Sequence, residues 1–363
     1  MAQWWCKWAI GLAVGMLVAL PIGLAETHWE IQAVDENGLG THPKVGADPT
    51  DPNNRVVVEG IALNSPDELV DTRYSWMLVV QGEGDDHAGT QAWAGSFYQP
   101  WPDVYPTDIQ PGDRVRITGF IANFLGKINI NERHSPAPQM NFQVEVLERG
   151  VGMPEPELIP SIADCNFFDQ TRLSGGEWYQ SRWVRLNDVW IAAGQWAPDH
   201  QLTITDSTGE TLGLMLSSQG DFAGYPEPRG PFDVIGIFDQ EPWPLKPFPP
   251  PPYTDYYRIW VKRFEHILVH GDLDRDGDVD LTDFALFQTC FTGPAEAATL
   301  PAHGRHGGSA GRHRHRMVDE PLYPPRCETG DMDHDGDIDM LDFQQFVMCF
   351  TGPLTAEGNE QGP

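Results

Sequence analysis

Positive charge is what this sequence has least of. Lys and Arg together number 23 against 53 Asp and Glu, a formal net charge of −30 over 363 residues. A surface of that sign repels phosphate backbones and anionic lipid over most of its extent. Cysteine is sparse as well, at five. Beyond residue 25 no stretch is apolar for long enough to span a bilayer. Common catalytic signatures are missing: there is no H-E-x-x-H, no C-x-x-C and no phosphate-binding G-x-x-x-x-G-K. The expectation is a protein that binds rather than catalyses.

The N-terminus reads as an export signal. Lys7 supplies a short positive segment, Trp8 to Leu24 carries no charge, and Gly23-Leu24-Ala25 is a small-residue cleavage signature. Residues 1–25 are therefore expected to be removed, with an uncleaved membrane anchor as the rival reading. The expected location is extracellular or cell-surface. Loss of Cys6 leaves Cys165, Cys290, Cys327 and Cys349, an even count that permits disulfides in three pairings.

Abundant Pro and Gly, at 32 and 37 residues, suit short strands joined by turns better than long helices. The 13 Trp and 17 Phe are enough to fill real cores. Arg55 to Leu63, Ser75 to Gln81, Thr90 to Tyr98, Asp113 to Phe124, Lys127 to Ile130 and Phe142 to Glu148 read as strands. So do Arg182 to Ile191, the hairpin Gln201 to Leu216 turning at Ser207-Thr208-Gly209, Phe232 to Gln240 and Tyr256 to Ile267. Gly60 and Gly119 fall where strands would bend at a barrel corner. The proline-rich stretch between Glu241 and Asp255 reads as an extended surface loop.

Near the C-terminus the chain repeats itself. GDLDRDGDVDLTDFALFQTCFTGP begins at Gly271, and GDMDHDGDIDMLDFQQFVMCFTGP begins 59 residues later at Gly330, without gaps. Each copy contains D-x-D-x-D-G-x5-D. Calcium takes about six to eight hard oxygen ligands, and alternate residues of a curling loop point carboxylates inward. The expected first ion site is Asp272, Asp274, Asp276, Asp278 (through its carbonyl, leaving the side chain free), Asp280 and Asp283. The second is Asp331, Asp333, Asp335, Asp337, Asp339 and Asp342. Gly277 and Gly336 supply the sharp turns, and Val279 and Ile338 are placed to join the loops by a short β-bridge. An amphipathic helix follows each loop, with Phe284, Phe287 and Phe291 in the first and Phe343, Phe346 and Phe350 in the second. An ordinary EF-hand would have a helix entering each loop and usually Glu last. Here a strand end precedes Asp272, PPRCETG before Asp331 reads as no helix, and Asp is last in both.

A duplicated loop and exiting helix with Asp last resembles a type I dockerin, over Gly271 to Pro353. The resemblance implies a module that folds on two Ca²⁺ and binds a cohesin-like module on a scaffold or cell surface. The two residues before the last ligand would help recognise that partner; here they are Leu281-Thr282 and Met340-Leu341, a departure from the commoner Ser/Thr pattern. The spacer, 295–329, is longer than the family's and basic, and its His303, His306, His313 and His315 are candidate metal ligands or a plain surface loop. Cys290 and Cys327 flank it and are the favoured disulfide. Upstream, Asn54 to Glu148 resembles OB-fold domains of exported bacterial proteins, and Gly176 to Val269 repeats the plan.

The expected fold is mainly β: two tandem OB-like barrels (26–150 and 151–269), a helical loop pair (270–354) and a disordered tail (355–363). The expected function is non-catalytic. The calcium module would attach the protein to its partner while the barrels bind a ligand, with polysaccharide suggested by the proteins that commonly carry dockerins. Trp101 and Trp196, in loops, are candidates to stack on sugar rings or bases. One alternative is an extracellular nucleic-acid accessory using Arg114, Arg116, Lys127 and Arg133; another is a carbohydrate-active enzyme of unrecognised type. Glu83, Asp85, Asp86, His87 and the Asn131 to His134 cluster read as solvated turns rather than acid–base sites.

Overall fold

The computed structural model describes residues 25–95, 105–131, 142–293 and 324–350. The proposed leader, Trp101, the four spacer histidines and the tail lie outside the described residues.

The first sheet contains β1 (Val56–Ala62), β2 (Ser75–Gln81), β3 (Gly89–Gly95), β4 (Arg114–Gly119), β5 (Ile121–Phe124), β6 (Lys127–Asn131) and β7 (Gln143–Glu148), in the order β5-β6-β3-β2-β1-β4-β7. Only Phe120 separates β4 from β5. This bent segment pairs with β1 through its first half and with β6 through its second, so the sheet closes on itself. The β3–β6 pairing is parallel and its neighbours are antiparallel, the connectivity of an OB-like five-stranded barrel. Gly60 lies where β1 leaves β4 for β2; a Cβ there would sit 2.2 Å from the Gln81 carbonyl oxygen. Inward-facing Val56, Val58, Trp76, Leu78, Val80, Val115 and Ile117 fill the interior.

The second sheet contains β8 (Glu157–Ile159), β9 (Trp183–Ala193), β10 (Gln201–Thr205), β11 (Thr211–Leu216), β12 (Phe232–Gln240), β13 (Tyr257–Val261) and β14 (Ile267–Val269). β12 pairs with both β13 and β9, closing a second ring with the parallel pair at β11–β13. A short 3₁₀ turn, Phe264–His266, splits the expected last strand into β13 and β14. Three short helices brace the barrels: α1 (His28–Ile31), α2 (Ile162–Cys165) and α3 (Gly175–Tyr179).

The barrels share an apolar seam of Leu63, Leu69, Met77, Val79, Trp183, Met215, Ile237 and Trp260. Beside it lies a buried ion set. Lys127 of the first barrel meets Asp239 and Glu241 of the second, and Arg258 pairs with the same two carboxylates at 2.7 Å. Burial opposes ionisation of Asp239, but Lys127 and Arg258 outweigh it and hold the carboxyl at about 2.

The C-terminal part follows β14 without a linker: the Asp272 amide donates to the Val269 carbonyl at 3.1 Å. Its helices are α4 (Leu281–Cys290) and α5 (Met340–Cys349). The segment before Asp331 is a 3₁₀ helix, Pro325–Gly330, where the sequence was expected to exclude one. Proline is tolerated there because it occupies the first turn, whose N–H groups have no intrahelical acceptor. Cys290 and Cys327 form a disulfide across a separation of 37 residues, while Cys165, buried in the second barrel, and Cys349 are thiols.

Glu177 offers a test of the second barrel. It is buried, accepts a hydrogen bond from the Tyr257 hydroxyl at 2.8 Å, and burial pushes its carboxyl up to about 7 from an ordinary 4.5. The folded state therefore holds a proton that the unfolded chain has released, so stability falls as pH rises across that window. Glu177→Gln is expected to remove roughly 2–4 kcal/mol of this pH dependence, read by urea unfolding on both sides of the window. An unaltered pH dependence in the variant would contradict the assignment.

Candidate metal loops and a ligand cleft

Each C-terminal loop folds around its own first aspartate. The Gly277 amide donates to Asp272 Oδ2 at 2.9 Å and the Gly336 amide to Asp331 Oδ2 at 3.1 Å. Both glycines lie in the left-handed region, at φ 95° and 93°, where a side chain would be strained. The last aspartates close the loops. Asp283 Oδ1 accepts from the Leu273 and Asp274 amides at 2.7 and 3.0 Å, and its Oδ2 accepts from the Asp280 amide. Asp342 does the same with Met332, Asp333 and Asp339. Asp280 and Asp339 cap α4 and α5 by accepting from the Thr282 and Leu341 amides at 2.6 and 2.7 Å.

These contacts gather carboxylate oxygens from Asp272, Asp274 and Asp276, from Asp278, Asp280 and Asp283, from Asp331, Asp333 and Asp342, and from Asp337, Asp339 and Asp342, each group lying within 4.8 Å. Asp335 completes the second loop by accepting from the Asp337 amide at 3.1 Å. The Asp278 and Asp337 side chains, expected to be free, are buried within these groups.

The donors are hard oxygen throughout, and Asp272 Oδ1 is buried with no hydrogen-bond partner. Burial, then the Asp283 charge, push the Asp272 carboxyl up to about 7. Burial with Asp283 and Asp276 takes Asp274 to about 6, and burial with Asp342 and Asp335 does the same to Asp333. A central dication relieves this crowding, so the residues fit calcium.

Behind the loops, Phe287 and Phe346 meet at 5.0 Å, flanked by Phe284 and Phe343. Phe291 and Phe350 fall past the helix ends and stay partly exposed, so the expected stripe of six is a core of four. The expected Val279–Ile338 bridge is replaced at Ile338 by the residues that follow α4. The Thr292 and Gly293 amides donate to the Ile338 carbonyl, and the Ile338 amide donates to Thr292 Oγ1. On the outer face Leu281, Met340 and Leu341 are 71%, 55% and 53% exposed, and Thr282 is exposed beside Leu281. Val347 and Met348 extend this apolar surface along α5.

A second candidate site lies between the barrels, a cleft of about 410 Å³. Trp93, Phe124, Trp243, Phe248 and Trp260 give it aromatic walls; Gln91, Asn129, Asn131 and Arg258 give it polar ones. The Trp260 indole N–H and Asn129 Oδ1 are buried without hydrogen-bond partners. The proline-rich loop supplies Trp243 and Phe248 and is tied to the first barrel by the Tyr253 amide, which donates to the Asn37 carbonyl. Trp196 is not among the cleft residues. Its indole donates to the Phe222 and Tyr225 carbonyls and packs edge-on against Phe222.

The polar turn from Gly82 to Gly89 has structural partners, while residues 132–134 of the Asn131 to His134 cluster lie outside the described residues. Asp86 accepts from the His28 and Trp29 amides at 2.8 Å, His87 stacks on Trp178 and contacts Glu157, and Glu83 pairs with Arg114.

No family model matches this chain, and neither does any curated protein. Among solved structures, a replication protein A heterotrimer bound to ssDNA is 10% identical, with 55% of this chain and 52% of that chain covered and a TM-score of 0.23. The chain thus spans about half the length of that structure. Another, described as structural mimicry for functional antagonism, is 8% identical over 57% of this chain and 87% of that one, with a TM-score of 0.21. At such scores neither likeness bears on fold or ligand.

Asp272→Asn with Asp276→Asn is expected to reduce calcium uptake by the whole chain from two ions to one, read by calorimetry. Undiminished uptake would remove the first loop from the ligand set.

Proposed function

We propose that this is an exported, non-catalytic binding protein. A dockerin-type tail holding two Ca²⁺ docks it to a cohesin-like partner, and the cleft between its OB-like barrels takes a polysaccharide. The observation that carries the docking half is the pair of aspartate loops sharing one phenylalanine core, with Leu281, Met340 and Leu341 exposed beside them. Exposed apolar residues of this kind, on a module otherwise built of carboxylates, suit a protein partner. The ligand half rests on the cleft. Aromatic faces with neighbouring amides, a free indole N–H and a free amide oxygen suit the apolar faces and hydroxyls of sugar rings.

The nucleic-acid reading is weaker. Arg114 pairs with Glu83 and Glu148, Arg116 with Glu59 and Glu145, and Lys127 is buried among carboxylates; Arg133 lies outside the described residues. These contacts leave the three described cations little charge to offer phosphates.

The mature chain, immobilised, is expected to retain a cohesin-bearing protein from the producing cell's surface fraction with calcium but not with chelator. Leu281→Asp with Met340→Asp is expected to abolish capture while leaving calcium uptake at two ions. Calcium-independent capture, or capture indifferent to the substitutions, would defeat the docking reading. Separately, Trp243→Ala is expected to weaken polysaccharide retention in affinity electrophoresis by about 1–2 kcal/mol. Absence of retardation by any soluble polysaccharide tried with the parent chain would defeat the ligand reading.

A further inference from the structure

Where the second loop meets the second barrel, four side chains from distant parts of the sequence converge. Asp188 comes from β9, Asp233 from β12, His270 from the residue after β14, and His334 from inside the second loop. One nitrogen from each histidine and one oxygen from each aspartate lie within 4.8 Å of one another. Asp233 and His270 are deeply buried, at 2% and 4% exposure.

Two features separate this group from an ordinary cluster of ion pairs. First, His334 Nε2 is shielded from solvent and makes no hydrogen bond. It points between Asp233 Oδ1 at 3.6 Å and Asp188 Oδ2 at 3.8 Å, and His270 Nδ1 lies 3.9 Å from Asp188 Oδ1. These separations are long for hydrogen bonds. The shortest contact is between His270 Nε2 and Asp233 Oδ1 at 2.9 Å, and Oδ1 also accepts from the Asp188 amide at 3.1 Å, so an ion binding there would displace the proton held between His270 and Asp233. Second, the acidic member is already oriented. Asp233 Oδ2 is taken by Arg185 at 2.6 Å, and Arg185 is paired in turn with Glu328, which turns Oδ1 toward both imidazoles. Outer contacts of this kind fix the orientation of metal ligands.

We propose that Asp188, Asp233, His270 and His334 form a third metal site, distinct from the two aspartate loops, that takes a zinc-class divalent ion. Two imidazoles and two carboxylates suit that class, whereas the loops offer only hard oxygen to calcium. Three ligands belong to the barrel and the fourth to the second loop, so the ion staples the tail to the barrel. His334 lies between Asp333 and Asp335 and faces the barrel while its neighbours face the loop interior. The site is therefore complete only when the second loop is folded. This inference rests on the barrel–loop geometry and not on the docking partner or the cleft ligand.

The test uses the mature full-length chain in excess calcium, with His303, His306, His313 and His315 replaced by Ser so that the spacer does not bind the probe. Cobalt(II) is titrated and followed by visible absorption, then displaced with zinc. The expected result is one equivalent of cobalt, bleached by zinc, with His334→Ala and the more exposed Asp188→Asn each weakening uptake by about tenfold or more. Calcium uptake, measured alongside, is expected to stay at two ions in the Asp188→Asn chain, which separates loss of this site from loss of the loops. No cobalt uptake by the parent, or uptake unchanged in both variants, would overturn the proposal.

Discussion

Like charges crowded into a short length of chain govern the C-terminal quarter of this protein. Each loop brings six aspartates into twelve residues, and several of them are buried. Burial first, and then the crowding, pushes Asp272, Asp274 and Asp333 toward neutrality. The helices depend on the same groups, since Asp280 and Asp283 cap α4 while Asp339 and Asp342 cap α5. The shared core behind them is small, with Phe287, Phe346, Leu273, Val279, Met332 and Ile338 as its main members. A core of that size needs reinforcement, and the Cys290–Cys327 bond provides some. Closing a loop of this length is worth about 4 kcal/mol on the chain-entropy model.

The two barrels work on a different principle. The cleft exists because one barrel is held against the other. The seam from Leu63 to Trp260 removes apolar surface from water, and the ion set around Lys127, Asp239, Arg258 and Glu241 fixes which way the surfaces meet. A buried charge set tolerates sliding poorly, because any shift strands a charge away from solvent.

Much of this was legible in the residues and some was not. Apolar stretches of strand length located the strands well: Ser75 to Gln81 and Phe232 to Gln240 have the boundaries expected of them. The repeat placed both loops and both helices, and the cysteines flanking the spacer are the bonded pair. What failed to show was anything built from distant segments. The cleft joins Trp93 to Trp243 and Trp260, and the fourfold cluster joins Asp188 to His334; no local pattern marks either. Trp196 looked available because it sits in a loop, but its N–H is occupied by two carbonyls. The Ile338 contact was misplaced because its partner, Thr292, lies just past α4 rather than in the other loop.

The direct passage from β14 into the first loop has a mechanical meaning. A tail hung on a flexible tether would let its cargo swing freely about the point of attachment. Here the Asp272 amide is bonded to Val269 at the end of β14, and Arg185 of β9 pairs with Glu328 just ahead of the second loop, so the outer face of α4 and α5 keeps one bearing relative to the cleft. Whatever grips those helices also aims the opening between the barrels, as a bracket sets the angle of the tool it carries.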